Sequence, residues 1–134
     1  MFMIKGKDAL LNGSKYNKAV SNMKILIIED SASFSLILTK ILKNMGFDLV
    51  ENVTSSEKAT FMVESSKYDV IFIDNQLEGL DGEFALPIIN ELSPTSKLII
   101  MSENMKDVER LSNIYKNVIL KSSINEKSLK ALIS

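Results

Sequence analysis

The sequence predicts an α/β fold: one domain in which a five-stranded parallel sheet is doubly wound, with helices on both faces. Three observations carry the prediction. Short apolar runs rich in Ile, Leu and Val, at 24–28, 68–74 and 97–102, lack the polar alternation of a half-exposed strand and read as strands buried on both faces. Segments with apolar residues at helical period lie between them. Strand and helix patterns alternate five times along the chain, which implies βαβ units and a parallel sheet.

The first strand is Lys24-Ile25-Leu26-Ile27-Ile28, followed by Glu29 and Asp30. Ser31 or Asp30 can cap the next helix. In that helix Phe34, Ile37, Leu38, Ile41, Leu42 and Met45 form one apolar stripe, and Gly46 stops it. Residues 48–53 form a second, weaker strand that alternates with acids. A helix from Ser55 or Ser56 runs through Ala59, Met62 and Val63. The third strand, Tyr68 to Asp74, runs into a loop that contains Gly79, Asp81 and Gly82. Gly82 opens a helix through Phe84, Leu86, Ile88, Ile89 and Leu92, with Pro87 expected in or near its first turn. The fourth strand, Lys97 to Ser102, precedes a helix from Asn104 to about Ile114. The fifth strand, Asn117 to Lys121, precedes a last helix from Asn125 to Ile133. Residues 1–22 are mixed and polar; they read as an extension outside the core, either flexible or one loose helix over 8–20. The domain proper is expected over 23–134.

Composition removes several classes of chemistry. The 134 residues suit one domain. The chain has no Cys and no His, so thiolate and imidazole metal sites, His-based catalysis and a phosphohistidine on this chain are excluded. A net charge of -1 gives no basic excess for direct nucleic-acid binding. No apolar run approaches a membrane span, and the N-terminus lacks a secretory h-region. A cytoplasmic protein with no membrane partner is the default expectation.

The chemistry left is carboxylate, hydroxyl and amine, and the strand ends supply it. Strand one ends at Glu29 and Asp30, strand three at Asp74, strand four at Ser102 and strand five at Lys121. A parallel sheet puts all carboxyl ends on one rim, where open α/β sheets bind ligands. Taken singly, each residue reads equally well as a helix cap or the point where a strand reaches water. Together they describe a site. Clustered carboxylates need a counter-charge. A hard divalent cation such as Mg²⁺, held by one or two carboxylates and a phosphate, supplies it. Asp74 would then be a nucleophile toward phosphorus, with Lys121 and Ser102 on the phosphoryl oxygens.

From Met23 to the end, the chain resembles the receiver domain of bacterial two-component response regulators. The resemblance implies a single doubly wound (βα)5 flavodoxin-like domain. It implies Asp74 as phosphoacceptor, with Glu29, Asp30, Asp74 and the backbone carbonyl of Gln76 as ligands of Mg²⁺ or Mn²⁺. Ser102 and Lys121 would contact the phosphoryl group. The phosphate would come from a partner histidine kinase or histidine phosphotransfer protein. The fourth helix, fifth strand and fifth helix would present an altered face to an output partner or linked output domain, or in a homodimer. The domain is not an enzyme beyond its own phosphorylation and dephosphorylation.

Five positions depart from the family pattern. Glu29 stands where Asp is common, and Glu78 where Pro is common. Glu103 would crowd the phosphate or contact Lys121. Val118 replaces the aromatic switch on strand five, and Tyr115 lies too early to stand in for it. Ser122 replaces a proline whose preceding bond is usually cis; either a trans bond with a shifted Lys121 or a strained cis bond is expected. These departures motivate an alternative: a receiver-like module that binds partners without phosphorylation.

Overall fold

Five strands, β1 (Lys24–Ile28), β2 (Leu49–Val53), β3 (Val70–Asp74), β4 (Lys97–Ser102) and β5 (Val118–Leu120), pair in parallel in the order β2-β1-β3-β4-β5. The computed structural model describes residues 19–77 and 82–134; Glu78, Gly79 and Asp81 of the loop after β3, and the helix considered over 8–20 except for its last two residues, lie outside them. The helices are α1 (Ala32–Asn44), α2 (Ser56–Ser65), α3 (Gly82–Leu92), α4 (Met105–Ser112) and α5 (Glu126–Ile133). The chain is thus the doubly wound (βα)5 sheet that the sequence predicts. Its strand order reverses between β1 and β3, which is where such sheets open a crevice at their carboxyl ends.

Alternation along the strands splits the core in two. Ile25, Ile27, Phe72 and Met101 point to the face covered by α1 and α5, where Leu38, Leu42, Leu129 and Ile133 meet them. Leu26, Ile28, Ile71 and Ile73 point to the face covered by α2, α3 and α4, with Ala59, Val63, Leu86, Ile89 and Leu111. A one-residue step that changes face is the geometry of any strand. Here both faces are apolar, so β1 and β3 read as unbroken hydrophobic runs. Val20, in a 3₁₀ turn ahead of β1, also packs into the first of these clusters.

The helix ends follow local chemistry. Ser31 Oγ accepts from Phe34 N, Ser55 Oγ from Lys58 N, and Asn104 Oδ1 from Lys106 N. Asn125 and Ser128 form a reciprocal capping box. At the end of α1, Phe47 N bonds Leu42 O and Gly46 N bonds Lys43 O, both at 3.0 Å. This is a Schellman closure, and it requires the positive φ of 105° that Gly46 adopts.

Three expectations need correction. Ile37 is 55% exposed, and the small Ser35 is buried in its place. Phe84, Ile88 and Leu92 are exposed, while Ala85, Leu86 and Ile89 face the sheet. In both helices the buried line includes a small residue, Ser35 or Ala85, that hydropathy does not mark. Pro87 is the sixth residue of α3 rather than part of its first turn. It lies on the exposed side, where the carbonyl it leaves without a partner can be solvated. Among the described residues no helix is long and apolar enough to cross a membrane.

Candidate functional site

At the carboxyl ends of β1 and β3 the chain buries two acids and an amine together. Asp74 is the last residue of β3, Glu29 follows β1, and Lys121 follows β5. All three are nearly inaccessible, Glu29 at 1%, Asp74 at 5% and Lys121 at 8%. The parallel register delivers them: Ile73 pairs with Ile28, and Asp74 with Met101, so β1, β3 and β4 end at one level.

Lys121 is the electrostatic centre. Its Nζ donates to Asp74 Oδ2 at 2.9 Å and lies 2.7 Å from Glu29 Oε1. The same ammonium stands 4.6 Å from the centroid of the Phe34 ring on α1, a cation–π distance. Burial works against the charge of Lys121, but the hydrogen bonds to Asp74 and Glu29 outweigh it and hold its pKa above the ordinary value. Lys121 reaches this position from a 3₁₀ turn, Lys121–Ser123, with every peptide bond among the described residues trans. Of the two expectations for the bond to Ser122, the trans one is found, and Lys121 still reaches the acids.

The other atoms of the acids are also engaged. Asp74 Oδ1 accepts from Gln76 N at 3.0 Å, and Glu29 Oε2 from Ser31 N at 3.1 Å. Burial raises the Glu29 carboxyl to a pKa of about 7; Lys121 and the Ser31 N–H offset only part of this, and the charge of Asp74 adds to the rise. Asp30 is exposed at the mouth of the site. One oxygen from each of Glu29, Asp30 and Asp74 lies within 4.8 Å of the others.

These residues fit a divalent cation. The carboxylates of Glu29, Asp30 and Asp74 stand together, two of them on the one Lys121 ammonium, all their donor atoms are hard oxygens, and burial holds the proton on the most buried carboxyl to near-neutral pH. Glu29, Asp30 and Asp74 would hold Mg²⁺ or Mn²⁺. Gln76, expected to add its backbone carbonyl, leaves the strand two residues after Asp74 with its side chain exposed.

Ser102 ends β4, 1% exposed. It is tied to its own loop: Oγ accepts from Asn104 N at 3.1 Å and donates to Asn104 O at 3.3 Å. Glu103 is exposed and does not contact Lys121, whose ammonium is taken by Asp74 and Glu29. Val118 is half-buried and, like Tyr115, packs against the core cluster on the α2–α3–α4 side.

A second polar group adjoins the site and was not singled out by sequence. Asn75, next after Asp74, donates from Nδ2 to Glu83 Oε2 on α3 and Asp107 Oδ2 on α4, both at 3.3 Å. Arg110 bonds Glu83 at 2.8 and 2.7 Å and Asp107 at 2.9 Å. The Arg110 bonds hold the carboxyls of both Glu83 and Asp107 below their ordinary pKa. Two signals were available: an Asn directly following an all-apolar strand and its terminal acid, and the one arginine of a lysine-rich chain.

Comparison with known proteins agrees with this fold. The family profile of the response regulator receiver domain matches residues 25–134. The chemotaxis protein CheY of Listeria monocytogenes is 25% identical over 113 residues, covering 82% of this chain and 95% of that protein. A protein-glutamate methylesterase/protein-glutamine glutaminase of Paramagnetospirillum magneticum is 28% identical over 85 residues, 63% of this chain but 22% of its own length. The chain therefore spans about a fifth of that relative. Among solved structures, the receiver domain of a sensor histidine kinase from Pseudomonas aeruginosa, with a magnesium ion coordinated in its active-site cleft, superposes with a TM-score of 0.73 at 23% identity, covering 83% of this chain and 93% of that one.

Proposed function

The chain belongs to the response regulator receiver domain family, and on that premise we propose that Asp74 accepts a phosphoryl group from a partner histidine kinase or histidine phosphotransfer protein. The observation that carries the reading is the buried Lys121 ammonium, 2.9 Å from Asp74 Oδ2 and 2.7 Å from Glu29 Oε1, at the mouth formed with Asp30.

The step is a displacement at phosphorus. An Asp74 carboxylate oxygen forms the new O–P bond. The N–P bond of the donor phosphohistidine breaks, and its electron pair stays on the donor imidazole. Lys121 follows the charge of the phosphoryl oxygens, and Ser102 Oγ exchanges its loop partners for one of them. A bound Mg²⁺ would neutralise charge on the phosphoryl group. Fixed positive charge at a developing anion is the main device available to such a site. Since the chain has no His, it receives phosphate and cannot pass it from an imidazole of its own.

The readout follows from the same elements. α4, β5 and α5 adjoin the site through Ser102, Asn104 and Lys121, and form the face for an output partner, a linked output domain or a second copy. The receiver unit is taken over 23–134, with Val20 of the preceding segment packed into its core rather than outside it, and the setting as cytoplasmic.

The test is mass spectrometry after incubation with Mg²⁺ and acetyl phosphate. A gain of one phosphoryl group is expected in the wild type and none in Asp74→Ala. No gain in the wild type, or the same gain in Asp74→Ala, would overturn the reading. The first result would favour the phosphorylation-independent interaction module.

A further inference from the structure

Asn75 is 1% exposed, although it is an amide at the end of an apolar strand. Its backbone continues the sheet, with N–H donating to Met101 O at 3.0 Å. Both hydrogens of its side-chain amide go to carboxylates on different helices, Glu83 of α3 and Asp107 of α4. Arg110 closes the ring from the solvent side with a bidentate bond to Glu83 and a third bond to Asp107. The residue after Asp74 is thereby fastened to two helices by one polar ring. The ring is incomplete, because among the described residues Asn75 Oδ1 is buried without a hydrogen-bond partner. A buried carbonyl oxygen in that state is unfavourable, so the resting ring carries a cost that another arrangement can relieve.

The other attachment of α4 leads to the same place. Asn104 caps α4, and its backbone N–H and C=O are both bonded to Ser102 Oγ. Drawing Ser102 toward a phosphoryl group on Asp74 pulls on that cap, three residues before Asp107. Val118 provides no aromatic ring on β5 to transmit the change.

We propose that Asn75 is a positioning residue of the acceptor site, and that its ring with Glu83, Asp107 and Arg110 is a latch that holds α4 in the resting arrangement and opens on phosphorylation. The proposal rests on the reading of Asp74 as phosphoacceptor. An opening latch charges its cost to phosphoryl binding, so removing it raises the apparent affinity of the site.

The experiment is a titration of the full chain with beryllofluoride and Mg²⁺, followed by amide NMR across Met105–Ser112. In the wild type these resonances shift on saturation. In Arg110→Ala, and in Asn75→Leu, the unliganded α4 resonances move toward the saturated wild-type positions, and beryllofluoride binds several-fold more tightly. Arg110→Lys, which keeps the charge but not the fork, falls between. Arg110 is half-exposed, so Arg110→Ala carries the test if Asn75→Leu does not fold. A ring that is only structural would lower the denaturation midpoint and leave the beryllofluoride affinity as in wild type; that result overturns the latch. A wild type that binds beryllofluoride with unmoved α4 resonances overturns the latch alone. A folded wild type that does not bind it overturns the phosphoacceptor reading, and the latch with it.

Discussion

Lys121 and Asp74, 47 residues apart, meet through a 2.9 Å bond in which both side chains are 8% exposed. Glu29 shares the same ammonium at 2.7 Å with its own side chain fully buried. One cation thus serves two buried acids. Removing one member of a buried ion pair costs more than the pair contributes, because the remaining charge has lost its compensation.

Lys121→Met is therefore expected to destabilise the metal-free protein at pH 7 by about 3 kcal/mol, the low end for breaking a buried pair. The loss stays at the low end because Glu29, with a pKa of about 7, can take up a proton instead of remaining charged. Added Mg²⁺ should restore part of the stability. Urea denaturation with EDTA and with Mg²⁺ measures both. An unchanged midpoint in EDTA would show that Lys121 does not compensate the acids.

Glu29 also sets a pH dependence. Its carboxyl shifts from 4.5 to about 7 in the folded chain. Between these values the folded state holds a proton that the unfolded state has released. Stability then falls as pH rises through this window, in contrast to an acid whose pKa is lowered by pairing. The contribution is roughly 3 kcal/mol across the window, from 1.36 kcal/mol per pKa unit. In EDTA, the denaturation midpoint should decline from about pH 5 to pH 8 in the wild type, and the decline should flatten in Glu29→Gln. Parallel profiles for the two proteins would refute it.

The sheet and its rim were legible because the signals are local. Lys24–Ile28 and Val70–Asp74 announce their burial residue by residue, and the site residues Glu29 and Asp74 stand just after the first and at the end of the second. Helix starts were legible where Ser31, Ser55, Asn104 or Asn125 supplies a cap. The core-facing lines of α1 and α3 were not, since Ile37, Phe84 and Ile88 are as apolar as the residues that are buried, and which side faces the sheet is set by packing beyond the helix itself. The ring around Asn75 depends on residues 8 and 32 positions away on two other elements. No spacing within one element encodes it. The sequence leaves the Lys121–Ser122 bond open between cis and trans for the same reason: the 3₁₀ segment Lys121–Ser123, which brings Lys121 to Asp74 with a trans bond, is not contained in strand periodicity.

Gly46 offers a test of the fold separate from the site. Its φ of 105° closes α1 and lets Phe47 enter the core, where it is fully buried. Placing a Cβ there costs on the order of 1–2 kcal/mol. Gly46→Ala should lower stability by that amount and leave beryllofluoride affinity within error of wild type. A change in affinity without a change in stability would contradict the separation of α1 closure from the site.

Ser102 joins the two halves of the switch in one atom. In the resting chain, among the described residues, its Oγ bonds only Asn104, accepting at 3.1 Å and donating at 3.3 Å. A hydrogen bond to a charged phosphoryl oxygen contributes about 1.5–3 kcal/mol, against about 1 kcal/mol for a neutral one, so the hydroxyl gains by changing partners. Ser102→Ala should therefore weaken beryllofluoride binding by on the order of tenfold or more while costing only about 1 kcal/mol of stability. Ser102→Thr, which keeps the hydroxyl, should bind as the wild type does. The α4 resonances give the decisive readout: in Ser102→Ala at saturating beryllofluoride they should remain near their unliganded positions, because the site is filled but nothing pulls on Asn104. If α4 moves fully in that variant, the route from Asp74 to α4 does not pass through Ser102.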